Sequence, residues 1–110
     1  MTNIEVTVNF LRAYAKGDIK EVEKLIASDF NFDDPSTEFK TKDSYLESLN
    51  NNSIAASDFN ILHTFENGNE VLLIYLFEKN GINTRISHYF KVDDDKINEI
   101  SLIYDKSVFK

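Results

Sequence analysis

Apolar positions recur with helical spacing in the first half of the chain and with a period of two in the second. Ile4, Val8, Leu11 and Ala15 form one stripe, with Val6, Phe10 and Tyr14 on an adjoining one. This predicts a helix with a broad buried face. Thr2 and Glu5 stand at capping-box spacing before it. Gly17 supplies a left-handed stop, and Asp18, with Glu21 three residues on, opens a second helix at once. Its apolar stripe is Ile19, Val22, Leu25 and Ile26. Phe30-Asn31-Phe32 alternates briefly as a short strand that ends at Asp33-Asp34-Pro35. A third, shorter helix begins after Thr41 and buries Tyr45, Leu46 and Leu49, followed by a loop at Asn50-Asn51-Asn52-Ser53.

From Asp58 onward the pattern belongs to strands. Asp58 to Glu66 puts Phe59, Ile61, His63 and Phe65 on one face and Leu62 and Thr64 on the other, ending at an Asn67-Gly68 hairpin turn. Val71 to Phe77 is apolar without alternation, which implies burial on both faces. After a second turn at Asn80-Gly81, Thr84, Ile86, His88, Phe90 and Val92 share one face, and Arg85, Ser87, Tyr89 and Lys91 share the other. In the last strand Ile100, Leu102 and Tyr104 oppose Glu99, Ser101 and Asp105. A loop of about five residues from Asp93 to Ile97 sets both apolar faces on the same side. The expected architecture is α+β: three helices on the concave face of a curved antiparallel sheet, with a four-strand meander after Asn52. No parallel strand pair is expected, and no helix between Asp58 and Asp105. His88 then points into an otherwise apolar concavity.

Composition narrows this picture. A chain of 110 residues, 42% apolar, with three glycines and one proline, fits a single domain over 1–110. Without cysteine there is no disulfide, thiolate chemistry or cysteine zinc site. No other His lies at ligand spacing from His88, and Asp93-Asp94-Asp95 lacks the spacing of a metal loop, so no metal or cofactor is expected. A net charge of −7 without a basic cluster argues against nucleic acid and anionic membranes. The longest apolar run is too short to span a bilayer, and the chain as given opens without a secretory pattern, so a soluble cytoplasmic protein is expected.

The order of elements resembles the nuclear transport factor 2-like superfamily, a cystatin-like cone of helices packed into a curved sheet. Phe10-Leu11-Arg12-Ala13-Tyr14-Ala15-Lys16-Gly17-Asp18 looks like the end of its first helix and its Gly-Asp corner. Asp33-Asp34-Pro35 is similar to the acidic-Asp-Pro of the ketosteroid isomerase branch. His88-Tyr89-Phe90-Lys91-Val92, the Asp turn, Lys96-Ile97 and Tyr104-Asp105 look like the final hairpin of SnoaL-like proteins. In the isomerases the cone holds an Asp base before that Pro and an oxyanion hole made by a Tyr and a protonated Asp. By this resemblance the base matches Asp34, the Tyr falls on Phe10 and the second Asp on His88. Two of these three groups differ, so steroid isomerisation itself is not expected. Asp34 and His88 remain as a pair able to move protons across an apolar pocket lined by Phe10, Tyr14, Tyr75, Phe90, Leu102 and Tyr104.

Each assignment has a plainer counterpart. His88 is equally read as a core histidine tied to Tyr104, Thr84 or a backbone carbonyl, and Asp34 as a turn residue before Pro. Three classes of function remain. One is a cofactor-independent isomerase, cyclase or lyase. A second is a binding protein for a small apolar molecule with one polar group. The third is a dimerising adaptor whose cone is filled by its nine Phe and five Tyr. Leu72, Ile74 and Leu76, with Tyr89 and Ile103, face away from the helices, which leads to the expectation of a homodimer through the convex sheet face. His63 is expected to be exposed or at an interface.

Overall fold

Thr2 and Asp18 start the first two helices as their spacing predicts. In the computed structural model, which describes residues 1–33, 38–51, 58–79, 81–105 and 107, the elements are α1 (Asn3–Lys16), α2 (Ile19–Leu25), β1 (Ile26–Asp33), β2 (Glu38–Phe39), α3 (Lys42–Asn51), β3 (Asp58–Asn67), β4 (Glu70–Lys79), β5 (Ile82–Asp93) and β6 (Lys96–Ile103). The Thr2 hydroxyl accepts from the Glu5 N–H at 3.1 Å, and the Glu5 carboxylate accepts from the Thr2 N–H at 3.0 Å. Gly17, at φ 73°, donates to the carbonyls of Ala13 and Tyr14 and closes α1. The Asp18 carboxylate accepts from the Glu21 N–H at 3.2 Å. Asp18→Ala should therefore lower stability by about 1 kcal/mol, read as a lower urea midpoint at unchanged slope. Ile26 does not continue α2. It is extended, fully buried and the first residue of β1, so helix passes into strand without a loop.

The sheet has six strands in the order β2-β1-β6-β5-β4-β3. β3 to β6 form the expected antiparallel meander. One expectation is corrected: β1 runs parallel to β6, with Phe32 opposite Ile100 and Asp33 opposite Ser101. No hairpin joins these two strands; β2, α3 and the rest of the meander intervene, so no tight turn dictates their relative direction. The two-residue strand β2 folds back on β1, Phe39 opposite Phe32.

Two bulges change the phase inferred from strict alternation. In β3, Ile61 faces Tyr75 and His63 faces Ile74, so Leu62 is the extra residue. Phe59 and Ile61 therefore share a face with Tyr75, while His63 and Phe65 pass to the opposite, outer face and are exposed. In β6, Val92 faces Ile97 and Lys91 faces Glu99, which makes Asn98 the extra residue. The β5–β6 loop is also tighter than expected. Asp94 and Asp95, at φ 51° and 61°, turn the chain between the paired Asp93 and Lys96. Positive φ at both central residues is what a two-residue hairpin of this twist requires, and Asp tolerates it. The bulge supplies the residue that the short loop omits, so Ile97 and Ile100 are both buried.

The helices lie against the concave face, whose sheet residues Val71, Leu73, Tyr75, Ile86, Phe90 and Val92 pack with Val6, Phe10, Leu11, Val22 and Leu25. A second aromatic group joins Phe30, Phe32 and Phe39 to Tyr45 of α3, at ring separations of 5.0–5.8 Å. No helix among the described residues is long and apolar enough to cross a membrane.

Candidate functional site

His88 lies mid-way along β5, opposite Leu73 of β4 and Leu102 of β6, and points into the cone as alternation predicts. It is only 4% exposed. The Phe90 ring stacks on the imidazole at 4.1 Å between centroids, and Phe10 of α1 meets it edge-on at 6.2 Å. The Tyr75 hydroxyl lies 2.8 Å from His88 Nδ1. Tyr75 is opposite Ile86, so on the inner face it is the diagonal neighbour of His88. Thus the partner is Tyr75, rather than the Tyr104, Thr84 or carbonyl expected from sequence. Among the described residues nothing pairs with the other ring nitrogen, Nε2, although it is buried.

Burial sets the charge states of this pair. It holds the imidazole neutral, with a pKa lowered to about 3. It also pushes the Tyr75 hydroxyl far above the usual phenol range, the Tyr14 phenol adding to the same direction. The centre of the cone is thus a neutral phenol–imidazole pair in a dry, aromatic setting.

The two ends of the cone differ. Toward the β5–β6 turn the core is sealed: Phe90, Val92, Ile97 and Ile100 are at most 1% exposed. Toward the opposite end Tyr14, Phe59, Ile61, Phe77, Leu102 and Tyr104 pack on the core but stay half-buried. His88 and Tyr75 sit where the sealed interior gives way to this aromatic rim, with the Phe59 ring 6.1 Å from that of Tyr75. On the surface beside Phe59, the last turns of α1 and the start of β3 border a groove of about 220 Å³ lined by Arg12, Ala15, Lys16 and Asp58.

Of the residues singled out from sequence, Phe10, Tyr75, Phe90 and Leu102 surround His88. Tyr14 stacks near Phe10 at 6.4 Å, and Tyr104 lies just past the end of β6. Asp34 lies outside the described residues. Its neighbour Asp33 is exposed and accepts from the Ser101 hydroxyl at 2.7 Å. Phe59, Ile61 and Phe77 of the rim were not anticipated. The bulge at Leu62, invisible to a period-two reading, decides which side the first two occupy. No group of three potential metal-ligating residues occurs among those described.

A search among curated proteins finds no match. Solved structures do resemble the chain along its whole length. An NTF2-like protein of unknown function from Cytophaga hutchinsonii shares 20% identity at a TM-score of 0.85, covering 100% of this chain and 96% of that one. A SnoaL-like protein from Shewanella denitrificans, a candidate polyketide cyclase, shares 20% at 0.82, covering 97% and 93%. An LEH-like epoxide hydrolase of M. tuberculosis shares 16% at 0.81, covering 96% and 84%. At these identities the likeness is one of fold. The profile of the SnoaL-like domain matches residues 7–100, and the chain belongs to that family, within the NTF2-like superfamily.

Proposed function

We propose that the protein binds a small, largely apolar molecule with one polar group in the rimmed end of the cone, with His88 at the floor. One observation carries this reading: a buried imidazole with a nitrogen that has no partner among the described residues, at the boundary between sealed core and aromatic rim. An unpaired buried polar group costs about 1–3 kcal/mol, and a Leu would fill the same place without that cost. A ligand that pairs with Nε2 recovers the loss, and apolar walls with few polar groups suit such molecules. Proton-transfer chemistry belongs to the same reading, with Asp34 as base and His88 as its hydrogen-bonding counterpart in a cofactor-free isomerase, cyclase or lyase. That the fold is shared by an epoxide hydrolase and a candidate cyclase supports small-molecule chemistry in this cone. The setting proposed is the cytoplasm, and the working form a homodimer through the outer sheet face.

A second reading rests on the tightness of the centre. Leu73, Phe10 and Phe90 next to His88 are 0–2% exposed, as in a filled cone serving a dimerising adaptor. His88→Phe separates the two. At neutral pH it removes a nitrogen without a partner among the described residues but strands the Tyr75 hydroxyl, so the folded state should survive with a melting temperature changed by only a few degrees. In saturation-transfer NMR against a panel of small aromatic ketones, esters and phenols, wild type should bind members that the folded variant no longer binds. Undiminished binding by the variant would end the case for His88 as a site residue.

A further inference from the structure

We infer that His88 offers Nε2–H as a neutral hydrogen-bond donor to a carbonyl oxygen of the ligand, and that Tyr75 is the positioning residue that fixes this tautomer. The inference rests on the binding reading above and gives the polar group of the ligand its chemistry.

At 2.8 Å, a single proton lies between Tyr75 Oη and His88 Nδ1. A phenol is a far better donor than a neutral imidazole N–H, and an imidazole nitrogen a far better acceptor than a phenol oxygen. The proton therefore stays on Tyr75, and Tyr75 donates to Nδ1. A neutral imidazole carries one N–H, so with Nδ1 accepting, the hydrogen is on Nε2. The ring is neutral because it is buried, and Tyr75 stays protonated for the same reason. Phe90 stacked on one face and Phe10 edge-on hold the imidazole against rotation. Nε2 thus carries a donor, fixed in direction and without an acceptor among the described residues. It pairs with an oxygen that only accepts, as in a ketone, aldehyde or ester. A ligand N–H would meet another donor there, and a ligand hydroxyl could accept only with its own O–H turned to some other partner. A neutral donor in a water-poor site also polarises the carbonyl it holds and opposes no charge of its own to the binding of an uncharged molecule.

The first test needs no ligand. Long-range nitrogen–proton NMR of the imidazole in the wild-type protein at pH 7 should show the proton on Nε2 and a bare, hydrogen-bonded Nδ1. In Tyr75→Phe the ring should become a mixture of tautomers. The second test uses acetophenone and α-methylstyrene, which share a shape and differ by oxygen against a methylene group. Wild type should prefer acetophenone by about tenfold or more, the worth of one hydrogen bond in a dry site. In Tyr75→Phe a bound carbonyl still selects the rings that carry the proton on Nε2, so the preference should fall by the share of rings that lose it, about twofold for an even mixture of tautomers. A proton found on Nδ1, or equal affinity of wild type for the two probes, overturns the inference. If neither probe binds while the proton is on Nε2, the binding reading fails and the ligand half of the inference falls with it, leaving the Tyr75–His88 tautomer as a property of the core.

Discussion

His88→Phe is expected to remove much of the acid sensitivity of this fold. Burial lowers the folded-state pKa of His88 from 6.5 to about 3. Between those values the unfolded chain takes up a proton that the folded protein refuses. The neutral imidazole therefore contributes its full share of stability above pH 6.5. As pH falls below 6.5, the wild type loses about 1.4 kcal/mol per pH unit from this group alone. The variant has no such group. Its carboxylates and exposed His63 are the same as in wild type, so the difference between the two curves isolates His88. By pH 5 the wild type should have lost about 2 kcal/mol more than the variant relative to pH 7.5, a gap of roughly 10 °C in relative melting temperature. Calorimetry of both proteins from pH 7.5 to 5 measures it. Parallel curves would mean that water or an acceptor reaches the ring and that His88 is not held neutral. Tyr75→Phe should behave differently at neutral pH: it leaves Nδ1 without its partner beside an Nε2 that has none among the described residues, costing about 1–3 kcal/mol with nothing gained.

The features legible in the sequence are those fixed within a few residues. Thr2 with Glu5, Gly17 with Asp18, and the alternation through His88 are decided by neighbours along the chain, and the structure has each of them. Features that depend on pairing between distant segments were not legible. The partner of His88 is set by the β4–β5 register, which places Leu73, and not Tyr75, directly opposite it and leaves Tyr75 on the diagonal. The bulges at Leu62 and Asn98 each reverse the inside–outside phase of the strand residues beyond them, and a single inserted residue leaves no trace in composition. The direction of β1 beside β6 is likewise set by the whole path of the chain between them. Of the proposed proton-transfer pair, the His88 half has a defined setting, while Asp34 lies outside the described residues.

In sedimentation equilibrium at tens of micromolar, the protein is expected to be a dimer, and Ile103→Glu and Phe65→Glu are each expected to make it a monomer. The cross-strand registers assemble the outer face row by row. Phe65, Leu72 and Tyr89 lie side by side; the next row is His63, Ile74, Ser87 and Ile103; the one after it pairs Leu76 with Arg85. Phe65 is 53%, Leu76 38% and Ile103 65% exposed, and Leu72 and Ile74 between them are half-buried. The helices pack on the other side of the sheet. Charge frames this apolar band. Glu70, Lys91 and Glu99 cross the sheet at one end, where Tyr89 donates to Glu70 at 2.7 Å, and Arg85 and Glu78 stand at the other. An apolar centre with a polar rim is the anatomy of a protein interface. In the expected dimer a second copy of the same face would cover it, through a two-fold contact that meets each residue twice. For the same reason each substitution sets two unpaired carboxylates into the contact. Each must lose water on association, at a cost of several kcal/mol per ion, so the dimer should weaken at least about a hundredfold. Helical content and the Tyr75–His88 pair should be untouched, because both positions are on the outer face. A wild-type monomer under these conditions, or dimers that persist in both variants, would show that this face is not where two copies meet.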